Sequence, residues 1–72
     1  MMSATIITGK EPMKVSRAEG ILTVMEDENK IDKWRKEEKE TKVEWMFQQS
    51  NDADYAARLF MNHIGFEYVQ KI

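Results

Sequence analysis

No cysteine occurs in these 72 residues, and the only histidine is His63. A short chain without disulfides or a thiolate-bound metal has to fold by burying apolar surface alone. A domain near this size buries only about 60% of the surface that its unfolded chain exposes. The expectation is therefore one small domain over residues 1–72, with no room for a deep pocket beside a complete core. Self-association into a homodimer is one way for such a chain to bury more surface.

Hydrophobic patterning points to an α+β fold. Ala4–Thr8 is short and β-branched and runs into Gly9-Lys10, which reads as a strand and a turn. Met13–Val15, opened by Pro12, reads as a second short strand that would form a hairpin with the first. Ser16-Arg17-Ala18-Glu19 fits a capping box. Ala18, Ile21, Leu22 and Met25 follow at helical spacing, so a helix is expected from about Arg17 to Asp27. Gly20 lies inside it at a cost of about 1 kcal/mol relative to alanine, which suggests close packing there against another element.

Between Glu26 and Glu44, fourteen of nineteen residues are charged, so this stretch can contribute little to a core. Asn29 as an N-cap, the Asp32/Lys36 and Glu38/Lys42 pairs, and the spacing of Ile31 and Trp34 favour a solvated helix over Lys30–Glu40. The rival is a hairpin pairing Ile31–Lys36 with Thr41–Gln48, which lacks a Gly or Asn turn. Lys42–Gln48 is the clearest strand, with Val43, Trp45 and Phe47 on one face and Glu44, Met46 and Gln48 on the other. Ser50, Asn51 or Asp52 should cap a last helix whose buried stripe is Ala56, Leu59, Phe60, His63 and Ile64. Gly65 stands at the C′ position, and Phe66–Ile72 reads as a final strand. The resulting fold is a small mixed or antiparallel sheet of three to four strands packed against two to three helices.

The residues needed for chemistry do not converge in the sequence. The three glycines, Gly9, Gly20 and Gly65, are too far apart to write a phosphate-binding loop. Ser3, Ser16 and Ser50 sit in tail or cap positions, and no G-x-S-x-G is present. Asp52 and Asp54 suit a helix N-terminus, and Glu26-Asp27-Glu28 matches no calcium loop. His63 lies on an apolar stripe with no nucleophile or orienting acid assigned to it. The expectation is a non-enzymatic protein with no cofactor and no metal.

Two binding readings remain. The first is a protein–protein interaction module, such as a regulator, inhibitor or adaptor. Its contacts would be Trp34, Arg35, Met46 and Met61, because Trp, Arg and Met are enriched in interface cores. Base rates for a free-standing acidic domain without a site motif point to accessory proteins of bacteria and their phages. The alternative is a small nucleic-acid-binding protein using Lys30, Lys33, Trp34, Arg35 and Lys36, with phosphates on the cations and a base stacked on Trp34. The net charge of −2 and the adjacent Glu37, Glu38 and Glu40 weigh against it. The sequence contains no export or membrane segment, and a cytoplasmic location is the default.

Overall fold

The structure, a computed structural model, describes residues 2–72. Strand β1 (Ala4–Thr8) leads into helix α1 (Pro12–Asp27), then strands β2 (Trp34–Glu38) and β3 (Val43–Phe47). Helix α2 (Ser50–Leu59) follows, continues as a π-turn over Phe60–Ile64, and is succeeded by strand β4 (Val69–Lys71). The sheet order is β2-β3-β1-β4 with every neighbouring pair antiparallel. This is the split βαβ arrangement, in which β1 lies between β3 and β4. The strand–helix–strand unit expected at the C-terminal end is present, but its two strands flank β1 rather than each other.

Both helices cover one face of the sheet. From the sheet, Ala4, Ile6, Val43, Trp45 and Phe47 enter the core; from α1, Val15, Ala18 and Leu22; from α2 and its π-turn, Ala53, Ala56, Leu59, Phe60 and Ile64. Trp45 is the hub, with its ring centroid 4.9 Å from that of Phe60, 6.1 Å from Trp34 and 6.4 Å from Phe66. Its indole N–H donates to the Thr8 hydroxyl at 2.9 Å, and that hydroxyl donates to the Gly9 carbonyl. Thr8 is the one polar residue buried among the described residues, and this relay explains its place there.

Several expectations fail for identifiable reasons. Met13–Val15 is not a strand and forms no hairpin with β1. Pro12 occupies the first position of α1, where its fixed φ and missing N–H suit a helix start, and the Val15 N–H donates to the Glu11 carbonyl. Ser16 therefore lies within the helix and caps nothing. Gly20 is not in close packing: a Cβ built there meets nothing within 4 Å.

The charged stretch is a hairpin, not a helix over Lys30–Glu40. Asn29 is the cause. It adopts φ 61°, and the pair of bonds Asn29 N–H to Glu26 O and Lys30 N–H to Met25 O closes a Schellman motif. Asn29 thus ends α1 rather than opening another helix. The β2–β3 connection, residues 39–42 with Glu40-Thr41 at its tip, is closed by the Lys39 N–H donating to Lys42 O at 2.8 Å. Neither loop residue takes a positive φ, so the missing glycine is no obstacle.

At the C-terminal end, Gln49 rather than Ser50, Asn51 or Asp52 is the N-cap of α2. The Asp52 carboxylate instead accepts the backbone N–H of Asp32 at 2.9 Å, which ties down the connector before β2. The π-turn, closed by the Gly65 N–H on Phe60 O, takes more residues per revolution than an α-turn. Ile64 is therefore brought onto the core and His63 is rotated out to solvent. Gly65 has φ 80° and terminates the turn as a left-handed cap. The last strand is shorter than Phe66–Ile72, because Phe66 drops into the core before pairing begins.

Candidate interaction surface

The expected partner-binding residues do not share a surface. Side chains alternate along a strand, so Trp34 and Lys36 of β2 face the helical layer while Arg35 faces the open side of the sheet. Trp34 is half-buried against Trp45. Arg35 lies opposite Met46 on the open face, and Met46 is almost covered. Met61 is exposed on the π-turn, on the other side of the molecule from the open face.

The same alternation disperses the cations of the nucleic-acid reading. Lys36 Nζ is held by Glu19 at 2.6 Å and Glu38 at 2.8 Å, bridging α1 and β2. Those two carboxylates raise the Lys36 pKa above 10.5, the Glu19 hydrogen bond contributing most. Reciprocally, Lys36 lowers the pKa of Glu38. Arg35 stands 3.9 Å from Glu37, and Lys30 stands 3.5 Å from Glu28. Lys33 is exposed in the connector. With Trp34 packed inward and most of its cationic neighbours beside carboxylates, the segment presents neither a stacking platform nor a continuous positive face.

His63 borders a small hollow with Tyr55, Arg58, Leu59 and Asn62, and no carboxylate or serine lines it. Among the described residues, no three His, Asp or Glu side chains gather closely enough to hold a metal ion. Among the same residues, no helix is long and apolar enough to cross a membrane.

Helix α1 presents a feature that the expected site residues do not include. A helix with one side on a sheet normally carries polar residues on the other. In α2 this holds: Ala53, Ala56 and Leu59 point inward, and Asp54, Tyr55 and Arg58 point outward or lie at the boundary. In α1, Val15, Ala18 and Leu22 point inward, yet the outer stripe is Met13, Arg17, Gly20, Val24 and Asp27. Met13 is 81% exposed and Val24 is 54% exposed. Because Gly20 has no side chain, the helix surface dips shallowly between Arg17, Ile21, Val24 and Met25. Beyond Met25 a second apolar hollow continues past Ile31 to Tyr55.

A start at Pro12 rather than Arg17 would have revealed the stripe. Met13, Gly20 and Val24 then lie at i, i+7 and i+11 of one helix. Comparison of the chain with protein families, with curated proteins and with solved structures finds no match.

Proposed function

We propose that the protein is a non-enzymatic protein–protein interaction module, a regulator, inhibitor or adaptor, that binds through the outer face of α1. The observation that carries this reading is the apolar outer stripe of a helix whose inner face is already satisfied by the core. Solvent-facing positions of a surface helix gain nothing in the folded monomer from Met13 and Val24, and Gly20 weakens the helix there. Exposed apolar side chains beside an open hollow and rimmed by charge are a usual mark of an interaction site. Trp34, Arg35, Met46 and Met61 then have structural or peripheral parts, and the contact set becomes Met13, Ile21, Val24 and Met25 around the Gly20 notch.

The test is retention of a binding partner by immobilised protein, comparing the native chain with Met13→Glu and Val24→Glu. Both side chains are exposed, so the variants should keep the native circular dichroism spectrum while retention falls at least tenfold. Undiminished retention by folded variants would show that α1 is not the binding face.

A further inference from the structure

We infer that the outer face of α1 is self-complementary and that its partner is a second copy of this chain, packed antiparallel across a two-fold axis. This rests on α1 being the binding face, and adds what occupies it. On the outer stripe of α1, Arg17 lies in the first half and Asp27 at the end. Among the described residues, neither forms an ion pair within the chain, whereas Lys14 is paired with Glu11, Glu19 with Lys36 and Glu28 with Lys30. Running two copies of the helix in opposite directions sets each Arg17 towards the other's acidic end.

One register matches Arg17, Gly20, Val24 and Asp27 of the stripe. With the axis level with residue 22, Arg17 lies opposite Asp27 of the second copy, and Val24 lies opposite its Gly20. Each contact occurs twice because a two-fold interface is isologous. Val24 then fills the notch that Gly20 leaves, which lets the helices approach closely. Met13, the most exposed large apolar side chain among the described residues, lies four residues before Arg17 and so falls towards or beyond the end of the second copy's helix. A helix of 16 residues is about 24 Å long at a rise of ~1.5 Å per residue. One helix pair of that length makes a small interface, so the dimer forms reversibly and its population depends on concentration.

Sedimentation equilibrium over a wide concentration range, at low salt, provides the test. The mass should rise from the monomer's 8.5 kDa towards twice that value. Arg17→Glu and Asp27→Arg should each weaken association by about tenfold or more, because each places two like-charged pairs across the axis, and added salt should reduce the difference. Mixing these two variants should restore dimers. In the mixed pair the introduced glutamate faces the introduced arginine, and the retained Arg17 of one copy faces the retained Asp27 of the other. Gly20→Leu, which suits a helix better and fills the notch, should suppress association while raising the melting temperature of dilute protein. Two outcomes overturn the proposal: a mass that stays at one chain at every concentration, or dimers that mixing does not rescue. If the chain stays monomeric while Val24→Glu still abolishes retention of another protein, the second copy is excluded and α1 remains the binding face. If retention is also unaffected, the binding face is wrong as well.

Discussion

Replacing Thr8 with valine removes the hydroxyl that accepts from the Trp45 indole in the core and donates to the Gly9 carbonyl. The two side chains have nearly the same shape, so packing around Trp45 is preserved while the acceptor of its indole N–H is removed. Both residues are fully buried, and the bond they share is 2.9 Å long. A buried donor left without a partner costs about 1–3 kcal/mol. The extra buried methyl returns about 0.8 kcal/mol. The net loss should therefore be up to about 2 kcal/mol. For a domain of this size each kcal/mol moves the melting temperature by about 4–8 °C, so the midpoint should fall by up to about 16 °C. Urea unfolding followed by far-ultraviolet circular dichroism, at fixed protein concentration, measures the difference. The decisive control is Trp45→Phe. That change lowers stability by itself, but in its background Thr8→Val should cost less than in the native chain, because no indole N–H remains to be stranded and only the bond to the Gly9 carbonyl is lost. If Thr8→Val lowers stability equally in both backgrounds, the hydrogen bond is not the reason that a threonine is buried there.

Two further predictions concern stability. Lys36→Met should lower stability by no more than about 1 kcal/mol at neutral pH, the range expected of partly exposed ion pairs, and it should flatten the pH profile at both ends. The raised pKa of Lys36 means that its contribution is complete below pH 10.5 and is lost as pH rises through the folded value. The lowered pKa of Glu38 means that its contribution is present above pH 4.5 and is lost as pH falls through the folded value. Urea midpoints of native protein and variant that run parallel across both limbs would contradict this. Gly65→Ala should destabilise by about 1–2 kcal/mol, the penalty for an L-residue in left-handed backbone. Open space surrounds the site, so a loss seen in thermal melts has only φ to explain it, and no loss would mean that the cap relaxes.

What can be read from the sequence is what side-chain period alone decides. Val43-Glu44-Trp45-Met46-Phe47 alternates so strongly that its buried and open faces are legible, and so is the left-handed end at Gly65. The α+β class and a small mixed or antiparallel sheet of three to four strands follow from such segments. Residues that suit two backbone states are not legible. Asn29 serves equally as the first residue before a helix or the left-handed residue after one, and choosing the former turns β2 into a helix. Pro12 suits a strand edge or a helix start, and choosing the former hides the first turn of α1 and with it Met13. His63 falls inside when 3.6 residues per turn are counted through a segment that turns more slowly. The candidate surface depends on Pro12 and on where Gly20 points, and only tertiary contacts resolve either.

The charged composition of β2 has a consequence beyond its fold. This strand forms one margin of the sheet, and its outer backbone groups have no neighbour to bond with. A row of free N–H and C=O groups is a template onto which another chain can add, and from which fibrils grow. Here that margin reads Trp-Arg-Lys-Glu-Glu, and the opposite margin, β4, is only three residues long. A stranger's strand laid along β2 would have to bring its own side chains against four charges of both signs within five residues. The stretch that contributes least to the core is thus what lets so small a sheet stay finite.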